Sequence, residues 1–324
     1  MRFKKAIIIH QGALGDLINT LPAINALRSH SDEITAIGSS QLKLLEYAGL
    51  IDRFLSPQAL GFHHLFMENF QPPPQLKQTL ENADVIISWL GRSSDTYERN
   101  LKTFAQKVVI FKAHFPPEDE HSTKVLALPV IELGVEINDY LPRLDLSHIF
   151  KSAPSLGEEG KFIVFHSGSG SEKKRLPAQK VIKIIKGICD SFSQYLLFLI
   201  FGEAEKSFMV EVLKNLHKQT RHQIKILENL DLLQLAQVVS RAELYIGMDS
   251  GPTHLASALG TKTLAIFTCS NPKVWAPPQP WAKVIFSNYS CAPCSDEKRR
   301  ECENPYCGWA IKEEEVLAEI KKLI

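Results

Sequence analysis

No apolar run in this 324-residue sequence reaches the roughly 18 to 20 residues needed to cross a bilayer. The longest, YLLFLIF at 195–201, has the length of a strand. An excess of either charge is also missing: 37 Lys and Arg against 36 Asp and Glu leave a net +1. Nucleic-acid binders carry a clear basic excess, so that class of partner is excluded. The apolar stretch in MRFKKAIIIH is too short for a signal peptide, and no small-residue cleavage site follows it. A cytoplasmic protein is therefore expected, with its six cysteines mostly reduced. There is no internal repeat, and the one biased segment, QPPPQ at 71–75, reads as loop. The Gly-Lys-Ser/Thr order of a Walker A loop, the GxGxxG fingerprint and a DxD-type metal motif in a suitable loop are all absent.

What is present is an ordinary globular composition, 44% hydrophobic and 23% charged, in a chain long enough for two cores. Short β-branched runs alternate with helical patterns. The predicted strands are 5–10, 34–38, 84–88 and 107–111, then 162–166, 195–201, 223–227, 243–247 and 263–267. Continuous apolar strands separated by helices predict parallel sheets covered on both faces. PAQKVIKIIKGIC places Val181, Ile184, Ile185 and Ile188 on one helical face. DLLQLAQVVS repeats that pattern behind Asp231 as N-cap, and GPTHLASALG predicts a short helix opening at Pro252. The alternation lapses between about 112 and 160, which puts a domain boundary near residue 155. The stretch from Ser56 to Lys77 has poor periodicity and reads as a mobile surface segment. The expected class is α/β, two doubly wound halves with a ligand between them at the carboxyl ends of the strands.

Three strand-to-helix junctions carry chemistry. In HQGALGD, Gly12 and Gly15 surround the approach to Asp16. Backbone geometry alone explains such a turn in most proteins. Pro22 leaves two readings open: a helix from about Asp16 that loses an internal hydrogen bond, at a cost of about 3 kcal/mol, or an irregular turn with Thr20 capping a later helix. Either way Asp16 stands at a helix start, where the dipole favours a carboxylate and a cleft would make it a general base. In FHSGSGSEKKRLP, Ser167 to Gly170 let amides approach an anion, and Lys173, Lys174 and Arg175 supply charge. A charge run alone is usually a solvated face; joined to this turn it reads as anion binding. In GMDSGPTHLASALG, Asp249, Ser250 and Gly251 precede a helix N-terminus, a ready anion site, with His254 in the first turn. Two anion sites at neighbouring strand ends suggest a diphosphate, and hence a nucleotide.

Taken together, GALGDLINTLPAINALR, KRLPAQK, LAQVVSRAELYIGMDSGPTHLASALGTKTLAIF and the cysteine-containing tail resemble the ADP-heptose:lipopolysaccharide heptosyltransferases. The resemblance runs from residue 5 to the C-terminus and is weakest over 56–155. It implies a GT-B fold: two Rossmann-like, doubly wound parallel-sheet domains facing a cleft, with 1–155 holding the acceptor and 156–324 the nucleotide sugar. It also implies an inverting, metal-independent transfer of heptose from ADP-heptose to the inner core of lipopolysaccharide, on a lipid A-linked Kdo or heptose, with peripheral contact at the inner membrane. Asp16 matches the family's general base, and Lys174 the lysine of its Lys-x-Trp-Pro element. Ser169 and Gly170 match positions lining the phosphates; Asp249, Ser250, Gly251 and His254 match the Asp-Ser/Thr-Gly-x-x-His element. Glu205 is the candidate for the donor ribose, with Glu203 the competing register. Leu176 stands where the family has tryptophan, removing an aromatic wall next to Lys174, and Thr268 and Cys269 stand where it has Gly-Pro-Thr. Both departures bear on the identity of the donor.

The tail contributes Cys291, Cys294, Cys302 and Cys307. CxxC followed by two further cysteines reads either as a structural zinc site or as reduced structural thiols, the second pair being more loosely spaced than in a zinc ribbon. No cofactor is expected for catalysis. IKEEEVLAEIKKLI is an amphipathic helix expected to pack across both domains. Three rivals remain open: a nucleotide-sugar epimerase of the same architecture, a non-enzymatic nucleotide- or zinc-binding module, and a transferase with another nucleotide sugar or acceptor.

Overall fold

The computed structural model describes residues 2–90, 94–112, 119–151, 160–216 and 222–324. The chain divides into two units, Met1–Ile149 and Phe150–Ile324. The boundary expected near residue 155 lies outside the described residues.

In the first unit the strands are β1 (Phe3–His10), β2 (Ser31–Gly38), β3 (Arg53–Leu55), β4 (Ala83–Ser88) and β5 (Ala105–Ile110). They form one parallel sheet in the order β3-β2-β1-β4-β5. Ile7, Ile8 and Ile9 of β1 are fully buried, because a central parallel strand is covered on both faces. The chain lays β2 and β3 on one side of β1 and returns to lay β4 and β5 on the other, so the topological switch falls between β1 and β4. Ligands of doubly wound sheets bind at the carboxyl end of that pair.

The second unit repeats the logic with β6 (Phe162–His166), β7 (Leu196–Phe201), β8 (Ile224–Glu228), β9 (Leu244–Met248), β10 (Thr263–Phe267) and β11 (Ala282–Phe286). Its parallel sheet runs β11-β10-β9-β6-β7-β8, which puts the switch between β6 and β9. The helix Ala178–Ser191 buries Val181, Ile184, Ile185 and Ile188, the face expected of it. Asp231 caps the helix Leu232–Ser240: its Oδ1 accepts from Gln234 N–H at 2.8 Å, and Gln234 Oε1 accepts from Asp231 N–H at 2.9 Å.

Two expectations change. The segment from Ser56 to Lys77 is part of the first core: Leu60, Phe62, Leu65 and Leu76 are buried with Ile7 and Ile86, and Asn100 Nδ2 donates to Leu65 O and Met67 O. Its short helical pieces, Pro57–Leu60, Phe62–Phe66 and Pro74–Leu80, are too brief to show a period. Strands β3 and β11 went unpredicted. The first has three residues, and the second is an edge strand without a continuous apolar run. The C-terminal helix Glu313–Leu323 seats Val316 and Ile320 in the core of its own unit, with Leu317 packed against the Ala178–Ser191 helix, where a Cβ on Gly187 would strike it. No described helix is long and apolar enough to cross a membrane.

Candidate active site

The carboxyl end of β1 leads through Gln11 and Gly12 directly into a helix, Leu14–Ser29. Of the two readings of Pro22, the continuous helix is the one adopted: it runs straight through the proline. Leu17, Ile18, Leu21, Ile24 and Leu27 are buried, so the apolar face offsets the missing rung. Near that gap the Thr20 hydroxyl donates to Asp16 O at 2.7 Å. Asp16 is therefore a first-turn residue, and its Oδ2 accepts the Ala13 N–H at 3.1 Å. That bond fixes the carboxylate over Gly12, where an added Cβ would press on both the Asp16 side chain and the ring of His10. Gly12 is glycine because of this close approach, and its backbone is not in the left-handed region.

His10 and Trp89, neither singled out from sequence, complete this end. His10 is 2% exposed, and burial pushes its pKa down to about 4, so the ring is neutral at physiological pH. Its Nε2 lies 3.4 Å from Thr20 Oγ1, while its Nδ1 is buried without a partner. Trp89, one residue past β4, stands with its ring centroid 6.1 Å from that of His10 and is held by Nε1 donating to Leu126 O at 2.8 Å. A strand-terminal histidine before a glycine was the available signal; nothing local marked the tryptophan.

In the second unit the switch brings the ends of β6 and β9 together, and with them most of the predicted residues. Ser169 Oγ donates to Asp249 O at 2.9 Å, tying the two strand ends to each other. Lys174 Nζ donates to Asp249 Oδ2 at 2.6 Å. Burial works against the Asp249 carboxylate, but the Lys174 ammonium and its hydrogen bond, with His254 nearby, hold its pKa below the ordinary value. The helix Gly251–Ala258 starts directly after this pair, with Pro252 in its first turn and Ser250 as N-cap. Thr253 Oγ1 donates to Met248 O at 2.5 Å and meets Ser250 Oγ at 3.2 Å, which pins the first turn, and His254 is buried in it.

The three consecutive cations do not act as one patch. Lys173 donates to Arg300 O, and Arg175 turns inward, its Nε and Nη2 donating to Ser169 O at 3.2 and 2.8 Å. Of the three, Lys174 is the one that pairs with Asp249 at the end of β9. Leu176, which follows these cations, is 1% exposed and belongs to the hydrophobic core of the second unit.

Glu205 and Glu203 separate clearly: Glu203 is exposed and Glu205 is buried under Gly168. Gly202 N–H donates to Glu205 Oε2 at 2.6 Å, His166 Nε2 stands 3.8 Å away, and Arg175 Nη2 lies 3.7 Å from Oε1. Desolvation would raise the Glu205 pKa, yet His166, the Gly202 amide and Arg175 lower it overall, so the carboxylate is ionised. Gly170, by contrast, has open space on its Cβ side. Chemically, this end offers one shared ammonium, small residues and a helix start, an arrangement suited to phosphate oxygens.

Residues 82–304 match the family described as glycosyltransferase family 9 (heptosyltransferase). A lipooligosaccharide heptosyltransferase 2 from Campylobacter jejuni serotype O:2 is 30% identical over 96% of this chain and 95% of its own length. Among solved structures, an E. coli ADP-heptose lipopolysaccharide heptosyltransferase II superposes with TM-score 0.74 at 16% identity, over 98% of both chains. An E. coli heptosyltransferase with ADP gives TM-score 0.72 at 14% identity, covering 99% of this chain and 100% of its own.

Proposed function

The chain belongs to glycosyltransferase family 9, the heptosyltransferases, and on that premise we propose that it transfers a heptose from ADP-heptose to the inner core of a lipid A-linked oligosaccharide, inverting the anomeric carbon without a catalytic metal. The observation that carries this reading is the division of labour between two switch points. One presents a carboxylate, Asp16, over a glycine; the other presents Lys174 beside a helix N-terminus.

In the proposed mechanism the second unit holds the donor diphosphate at Ser169, Gly170, Lys174 and the first turn at Ser250, Gly251 and His254. Asp249 keeps the Lys174 ammonium extended towards the phosphates, and Glu205 faces the donor ribose. Asp16 takes the proton of an acceptor hydroxyl as that oxygen attacks the anomeric carbon. The bond to the ADP oxygen breaks on the opposite face, and the charge growing on the diphosphate falls on Lys174 and the helix amides. The relatives named for lipooligosaccharide and ADP-heptose support the donor and acceptor. The acceptor's lipid places the reaction at the cytoplasmic face of the inner membrane. With family membership established, the epimerase and binding-module readings have no observation in their favour.

Asp16→Asn tests the base. It keeps the size and the Ala13 hydrogen bond but cannot take a proton. A fall in kcat of about 10²- to 10⁴-fold is expected with the affinity for ADP unchanged. Transfer at the wild-type rate from ADP-heptose to a Kdo-lipid A acceptor would remove Asp16 from this role.

A further inference from the structure

The side chain of Arg175 is 10% exposed, and the two acceptors it faces lie in different parts of the candidate donor site. Its Nε and Nη2 both donate to Ser169 O, on the loop proposed to hold the phosphates, at 3.2 and 2.8 Å. The same Nη2 lies 3.7 Å from Oε1 of Glu205, the carboxylate proposed to face the ribose. At that distance it acts through charge rather than a direct hydrogen bond. The base of the side chain is fixed as well. Arg175 N–H donates to Glu172 O at 3.0 Å, and its carbonyl packs so closely on Gly308 that a Cβ there would come within 2.9 Å. From this anchored position one planar guanidinium spans loop and carboxylate, a task that suits the fork of arginine and not the single ammonium of lysine.

Glu205 needs such a partner. It is 7% exposed, its Oε2 accepts the Gly202 N–H at 2.6 Å, and Gly168 backs it too closely to admit a Cβ. His166 Nε2 stands 3.8 Å from Oε2. A carboxylate this buried is costly to leave without a cation, and Arg175 is the partner whose charge is permanent. We infer that Arg175 is a positioning residue: it holds the Glu205 carboxylate at a fixed setting from the loop at 167–170, and so makes the second unit select a nucleoside diphosphate that carries its ribose hydroxyls. Arg175 itself touches no ligand. The inference rests on the reading of Glu205 as the ribose contact.

Calorimetric titration with ADP and with 2′,3′-dideoxy-ADP, which keeps the base and both phosphates, tests it. The wild type should bind ADP about 10-fold more tightly than the dideoxy analogue, the scale of a hydrogen bond to a charged acceptor. Glu205→Ala and Arg175→Gln should each bring that ratio within about twofold of unity, and the double variant should go no further, as expected of residues that act as one unit. A merely structural tie would weaken both nucleotides alike and leave the ratio standing, which would overturn the inference. A preference lost in Glu205→Ala but intact in Arg175→Gln removes the positioning role and leaves the ribose contact in place. A wild type without preference, or a preference kept in Glu205→Ala, removes both together. Should Arg175→Gln fail to fold, Arg175→Lys takes its place, since an ammonium keeps the charge but cannot span both acceptors. The ratio should then fall below about threefold, and a preference as large as in the wild type refutes the role.

Discussion

A neutral ring beneath Gly12 makes the first unit sensitive to acid. His10 titrates at about 4 when folded, against an ordinary 6.5. The unfolded chain therefore takes up this proton first as pH falls. Stability is complete above about 6.5, declines between 6.5 and 4, and levels off below, a loss of about 3 kcal/mol from this residue. His10→Gln should flatten that part of the stability-against-pH curve in urea titrations; an unchanged curve would mean that the ring is not buried uncharged. Asp249 acts in a lower window, since its depressed pKa keeps its contribution intact until pH falls through the ordinary carboxylate range. Single residues also mark the limit of reading by pattern. Asp16, Lys174 and Asp249 were legible because each lies in a glycine-containing junction that follows a strand. Arg175 was legible as a charge but not as an internal tie to Ser169 and Glu205, because only the fold decides which of three adjacent cations turns inward.

Among the elements, the loop after β6 carries the sharpest constraint. A Cβ on Gly168 would overlap the Glu205 carboxylate, whereas one on Gly170 meets nothing within 4 Å. Gly168→Ala should destabilise the protein by about 1 to 3 kcal/mol through forced displacement of Glu205, and Gly170→Ala should stay within about 0.5 kcal/mol. Thermal unfolding of both, side by side, tests the contrast; equal Tm values would mean that Glu205 does not sit under this loop. The long central strands and the three amphipathic helices of the second half were predictable, since burial on both faces or on one stripe leaves a period in sequence. The helix Leu14–Ser29 was left open between two readings because Pro22 argues locally against it, and only tertiary burial of its leucines and isoleucines settles the matter. The same holds for the Ser56–Lys77 segment, whose core residues are supplied by three short pieces with no shared period.

For the molecule as a whole, each unit bears its candidate site at the one strand pair where its sheet changes direction, β1/β4 and β6/β9. Family and architecture were legible at this scale from four motifs. The docking of the Cys291–Cys294 turn against Cys269 was not, because a contact between the end of β10 and residues beyond 290 has no signature in spacing. If the donor nucleotide belongs to the second unit alone, ADP should slow amide exchange in 167–175, 202–206 and 249–255 and leave 10–20 unchanged. Protection confined to the first unit would reverse the assignment of the two sites. The switch points also have a consequence during synthesis. In each sheet the founding strand pairs on one side with a strand made much later: Ile7 of β1 with Ile86, and Val164 of β6 with Tyr245. At ribosomal speed that interval is roughly 4 to 16 s. For that time Ala6 to Ile9, and later Phe162 to Phe165, offer an open apolar edge to any other nascent chain, so the geometry that creates each ligand site also sets when this protein is most prone to aggregate.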